Sequence, residues 1–204
     1  MSTISLVSLL RTLFSMASLS GDSAASATAQ DAPATTQAGV DAFEAFFWRH
    51  ERDILGYLWR LTGDEQTAHD LSQETFLRAW QHFDKLQHYD QPRAWLFRVA
   101  TNLGINHLRG RARRPVAPAS AALEYLEQVS GDPAHRLAEH DAIRQTLLDL
   151  PPRQRAAVVL CDVYGLSSAE AATALGISHG SLKMALWRGR ERFRQDYQRK
   201  GGAE

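Results

Sequence analysis

Asp70-Leu71-Ser72-Gln73-Glu74-Thr75-Phe76-Leu77-Arg78-Ala79-Trp80 reads as a helix with two unlike faces. Ala68, Leu71, Thr75, Phe76, Ala79 and Phe83 recur at the spacing of a buried stripe. Asp70, Gln73, Glu74, Leu77 and Gln81 fall on the other side. A leucine among acids and amides suits docking onto another protein, although a solvated face is the plainer account of such a helix taken alone. Its neighbours change the balance, because a basic aromatic helix follows and a helix-turn-helix pattern ends the chain.

That basic helix opens at Pro92, a good first-turn residue. Leu96, Val99, Ala100 and Leu103 share one side. Trp95, Arg98, Asn102, Asn106 and Arg109 form another stripe, at i, i+3, i+7, i+11 and i+14. Cations, amides and an indole together suit single-stranded DNA, whose bases stack and hydrogen-bond once unpaired. Core packing is the competing account of Trp95.

The last motif runs Gly165-Leu166-Ser167-Ser168-Ala169-Glu170-Ala171-Ala172-Thr173-Ala174-Leu175-Gly176-Ile177-Ser178-His179-Gly180-Ser181-Leu182. Ser167 and Glu170 have capping-box spacing, Ala172 is small enough for a close helix crossing, and Gly176 permits the sharp turn. Ser178 caps the next helix, and Leu182 and Leu186 anchor it. Such a helix enters the major groove and offers His179, Ser181 and Lys183 to bases or phosphates. Arg188, Arg190, Arg192 and Arg194 are placed for backbone phosphates.

Length and charge bound the alternatives. The 204 residues carry 23 basic and 23 acidic side chains, so the net charge is zero, but the charges are segregated. Residues 93–114 hold Arg93, Arg98, Arg109, Arg111, Arg113 and Arg114 and no acid. Residues 183–200 hold seven basic residues against Glu191 and Asp196. Two basic tracts on a neutral chain imply two contacts with polyanions. A single cysteine, Cys161, cannot form an internal disulfide and fits a reducing cytoplasm. No apolar run is long enough to span a bilayer, so direct membrane insertion is not expected. Neither a nucleophile elbow, a phosphate loop nor metal-ligand spacing is present, so no enzyme activity, cofactor or metal is expected.

Residues 1–40 are poor in charge and rich in Ser, Ala and Thr, and read as a disordered extension. Ile4, Leu6, Leu9, Leu10, Leu13 and Phe14 have helical spacing, while Arg11 interrupts any signal-peptide core. Translation from Met16 is a competing account of this segment. Phe43, Phe46, Phe47, Ile54, Leu58 and Leu61 make a first helix that ends at Thr62-Gly63-Asp64. The expected architecture is all-α, with two small helical domains, residues 41–114 and 134–200. A flexible linker, residues 115–133, joins them.

The order of these motifs resembles extracytoplasmic-function sigma factors, bacterial promoter-recognition subunits of RNA polymerase. The residues that carry the resemblance are the Asp70–Trp80 stretch, Pro92-Arg93-Ala94-Trp95-Leu96-Phe97-Arg98-Val99-Ala100-Thr101-Asn102-Leu103, Leu150-Pro151-Pro152-Arg153-Gln154-Arg155 and the helix-turn-helix. The resemblance implies that residues 41–114 form sigma region 2 and residues 134–200 form sigma region 4. It implies that Asp70, Gln73, Glu74, Leu77 and Gln81 dock on core RNA polymerase. Trp95, Arg98, Asn102, Asn106, Arg109, Arg111, Arg113 and Arg114 would recognise and melt the minus-ten element. Ser178, His179, Ser181, Lys183, Trp187, Arg188 and Arg190 would read the minus-thirty-five duplex. An anti-sigma factor is the implied regulator. The chain departs from the family where Asn106 and Gly110 replace a common Asp and Arg, and where Ala185 and Trp187 replace a common Arg and His. A helix-turn-helix regulator that never joins polymerase is the alternative, but it leaves the Asp70 face and the Trp95 stripe without a purpose. An interaction protein with no DNA role would leave both basic tracts idle.

Overall fold

The computed structural model describes residues 37–113 and 133–200. Every regular element among them is helical. Four helices form the first unit: α1 (Gln37–Thr62), α2 (Glu65–Gln81), the single turn α3 (Phe83–Leu86) and α4 (Pro92–Arg113). The second unit has α5 (Pro133–Asp149), α6 (Pro152–Val158), a π-helical turn (Val159–Val163), α7 (Ser168–Leu175) and α8 (His179–Arg199). Two boundaries depart from the sequence expectation. Helix α1 begins before residue 41, because Val40 already has a buried seat. The sequence also leaves Asp84 to Gln91 as a loop before Pro92, but Phe83 and Leu86 both face the core, which coils its first residues into a turn.

The first unit is held by an aromatic core. Phe43 meets Trp80 and Phe83 edge-on, at 5.0 and 5.2 Å between centroids, and Phe47 meets Phe76 at 4.7 Å. Tyr57 is fully buried, and a 2.7 Å hydrogen bond joins its hydroxyl to Thr101 Oγ1. Because Thr101 donates its own proton to the Phe97 carbonyl, at 2.6 Å, Tyr57 is the donor of the pair. Asp64 caps α2 by accepting from Thr67 N at 2.7 Å. This capping holds its carboxyl below the usual range.

The sequence carried no sign that the two units share one core. Tyr164, presented by the π turn, stands at ring-contact distance from Tyr57 and Phe97, at 6.1 and 5.3 Å. Burial pushes its hydroxyl up to about 12. Arg60 Nη1 donates to Tyr164 Oη at 3.1 Å, and Arg93 Nη2 donates to the Tyr164 carbonyl at 3.0 Å and to Asp53 at 3.2 Å. Gly56 makes room for this ring, since a Cβ there would stand 2.7 Å from Tyr164 Oη.

Arg155 completes the junction. Its guanidinium is buried and donates to the Leu61 carbonyl at the end of α1. It also donates to the Leu148 and Leu150 carbonyls at the end of α5, at 2.6 and 3.0 Å. One cation thus caps two helix C-termini, where unpaired carbonyls and the helix dipoles favour positive charge. Burial works against that charge, and nearby Asp149 partly offsets it. The expected linker, residues 115–133, lies outside the described residues apart from Pro133, as does most of the N-terminal extension, residues 1–36.

Candidate nucleic-acid interface

Helix α2 turns its two faces as its periodicity requires. Ala68, Thr75, Phe76 and Ala79 are buried, and Leu71 is partly so. Asp70, Gln73 and Gln81 are exposed, Leu77 is 38% exposed, and Glu74 is half-exposed in an ion pair with Arg78 at 2.8 Å. Asp70 accepts from Gln66 Nε2 at 3.0 Å. None of the five contributes to the core, so this face is open to solvent.

On α4, the apolar side is broader than the sequence stripe. Leu96, Phe97, Ala100, Thr101 and Ile105 are buried, while Val99 and Leu103 are only partly covered. Arg98, Asn102, Asn106 and Arg109 are exposed along one line, and no ion pair engages Arg98 or Arg109 among the described residues. Trp95 packs in part against the core. Its indole is half-buried against the core with the His82 ring 6.0 Å away, and its remaining surface borders the Arg98 line. Arg93 does not belong with them, because it is spent on the junction with Asp53 and Tyr164. Arg111 is half-buried, Arg113 ends the helix, and Arg114 lies outside the described residues.

The helix-turn-helix forms as its spacing requires. Glu170 N donates to Ser167 Oγ at 3.3 Å, and Ser167 N donates back to the Glu170 carboxylate at 2.8 Å. This capping box lowers the Glu170 pKa. Gly176 takes φ +62, the left-handed conformation that turns the chain from α7 into α8. Ser178 accepts from Ser181 N at 3.2 Å to start α8, and Leu182 is fully buried.

The cations of α8 divide in a way their count does not reveal. Arg190 makes two bonds to Asp162, at 3.0 and 2.5 Å, across from the π turn. Arg194 pairs with Glu191 at 2.8 Å, Arg192 and Arg199 with Asp196, and Lys200 with Asp149 at 2.6 Å. Lys183 and Arg188 are exposed and have no ion pair among the described residues. The face turned away from the core carries Gly180, Lys183, Met184, Trp187 and Arg188. Met184 and Gly180 did not stand out in the sequence, and the signal that finds them is their helical phase relative to buried Leu182 and Gly189. Ser178, His179 and Ser181 are exposed at the start of the same helix.

Among the described residues, no three His, Cys, Asp or Glu side chains could hold a metal ion, and no helix is long and apolar enough to cross a membrane. Burial raises the Cys161 thiol pKa, as expected of a packed thiol rather than a reactive one.

Comparison with known proteins agrees with this layout. Residues 46–114 match the family model for sigma-70 region 2, and residues 140–193 match that for sigma-70 region 4. The chain is 35% identical over 178 residues to the ECF RNA polymerase sigma factor SigE of Mycolicibacterium smegmatis, covering 82% of this chain and 66% of that protein. It is 34% identical to SigG of Mycobacterium tuberculosis, 47% of whose length it spans. It is 36% identical to SigL of the same species, covering 84% of this chain and 90% of SigL. The fold resembles CnrH in its complex with the cytosolic domain of CnrY, with a TM-score of 0.54 and 28% identity over 76% of this chain and 86% of that one. It also resembles Bartonella quintana RpoE in complex with the anti-sigma factor NepR, with a TM-score of 0.66 and 24% identity over 78% and 98% of the two chains. The chain belongs to the extracytoplasmic-function sigma factors of the sigma-70 family.

Proposed function

We propose that this protein binds bacterial core RNA polymerase in the cytoplasm and directs it to promoters, where it supports melting of the minus-ten element. The observation that carries the proposal is the coexistence of three outward faces on separate helices. The α2 strip of Asp70, Gln73, Glu74, Leu77 and Gln81 contacts polymerase. The α4 line of Trp95, Arg98, Asn102, Asn106 and Arg109 captures the opened strand. The start of α8 reads the minus-thirty-five duplex. Stacking one base on an aromatic side chain contributes about 1–3 kcal/mol, comparable with the few kcal/mol needed to extract it from duplex. The chain supplies recognition, and nucleotide chemistry stays with the polymerase. An anti-sigma factor is the proposed regulator, on the analogy of the RpoE complex.

Co-migration of the labelled full chain with core polymerase tests this function. Tight stoichiometric binding is expected, and Asp70→Lys with Glu74→Lys should weaken it at least tenfold without lowering Tm. If the parent chain does not bind core, the proposal fails. If the double variant binds like the parent, the α2 strip is only a solvated face.

A further inference from the structure

The outward face of α8 is apolar where a DNA-reading helix is usually polar. Met184 is 48% exposed and Trp187 63% exposed. With Gly180 they fall at i, i+4 and i+7, in one line down the helix. The Trp187 ring makes no aromatic contact among the described residues, and neither side chain joins the core. Gly180 is equally unexplained by the protein's own packing. A Cβ added there would meet nothing within 4 Å, and its backbone is ordinarily helical. Glycine inside a helix is unfavourable relative to alanine, so the fold itself gains nothing from it.

Lys183 and Arg188 flank this line with no ion pair among the described residues, and no carboxylate joins the face before Glu191. That charge pattern favours a polyanion over an apolar protein partner as the occupant. Of the groups in the major groove, the thymine C5-methyl is the one that rewards an apolar side chain. We propose that Met184 and Trp187 read thymine methyl groups in the minus-thirty-five duplex, and that Gly180 lets the helix backbone approach the groove closely. This rests on the proposed function of α8.

The test uses the full chain assembled with core polymerase and a promoter duplex selected from random DNA. Thymines in its upstream element are replaced one at a time by uracil, which removes only the methyl. Loss of about fourfold in affinity per contacted methyl is expected with the parent chain. Met184→Ala and Trp187→Ala should each abolish the loss at one position, while Met184→Leu retains it. Gly180→Ala should weaken binding to every duplex while leaving Tm unchanged or a few degrees higher. If the holoenzyme selects no duplex, the proposed function fails, and this inference with it. If it selects one but uracil binds as well as thymine at every position, the methyl readout alone is wrong. Should Met184→Ala and Trp187→Ala instead weaken core binding with DNA affinity intact, the line is a protein-docking surface and the inference is overturned.

Discussion

Helices α4 and α8 are both arginine-rich, yet their cations do different work. In α4 there is no acid between residues 93 and 114, and Arg98 and Arg109 are exposed with no ion pair among the described residues. In α8, Glu191 and Asp196 stand three or four residues from Arg194, Arg192 and Arg199, and distant Asp162 and Asp149 hold Arg190 and Lys200. Surface pairs of this kind contribute only about 0–1 kcal/mol to stability. Their main effect is to cancel charge along the C-terminal half of α8, which leaves Lys183 and Arg188 nearer its start without an ion pair among the described residues. A third kind of arginine, Arg155, makes no ion pair among the described residues and is buried among carbonyls.

The comparison breaks most severely at Arg155. Arg155→Met should lower stability by about 2–4 kcal/mol, because it leaves buried carbonyls of two helices without a donor. Urea denaturation read by tryptophan fluorescence measures this loss. An effect below 0.5 kcal/mol would mean that the junction opens freely.

Next in size is the loss of the free α4 cations. Arg98→Ala with Arg109→Ala should impair promoter opening and reduce the salt slope of open-complex binding by about 0.7 for each side chain. Tm should stay unchanged, since both residues stand outside the core. Equal opening by the variant would remove this line from the DNA interface.

The α8 contrast predicts unequal outcomes for two neighbouring arginines. Arg188→Ala should reduce the salt slope of duplex binding by about 0.9, whereas Arg190→Ala should change it by much less. Asp162→Asn should free Arg190 and raise the slope in the parent background. Equal slopes for the two alanine variants would mean that phosphate displaces Asp162.

The smallest effect is a pH response at His50. Burial, with Arg49 and Arg93 nearby, lowers its pKa, while Asp53 opposes the shift. Between the lowered folded value and the unfolded value of 6.5, the unfolded chain binds more protons, so stability falls as pH drops through that window. Tm should therefore fall slightly from pH 7.5 to 5.5, and His50→Gln should flatten that part of the curve. An identical pH dependence in the variant would assign the response to other groups.

Much of the fold was legible because its signals are local. The 3.6-residue stripe of α2, the Ser167–Glu170 capping box and the Gly176 turn each depend on residues within one or two turns of one another. Resemblance in motif order then supplied the functional assignments. The starting point of α1 was less legible, because Val40 is one apolar residue in a polar setting and only its contacts reveal its burial. Trp95 was legible as a member of a stripe but not in its depth, since only its contacts reveal that the indole is half-buried.

The sequence by itself determined the helices, their caps and the helix-turn-helix, because these follow from periodicity and short-range hydrogen bonding, while the two sigma regions followed from resemblance in motif order. The tertiary structure decided which cations remain free, which apolar side chains stay outside the core, and that Tyr164 and Arg155 weld the two units together. Those outcomes depend on partners distant in sequence, such as Arg190 with Asp162 and Arg155 with Leu61. Charge and hydropathy along a chain do not encode such pairings until helix packing brings the groups into contact.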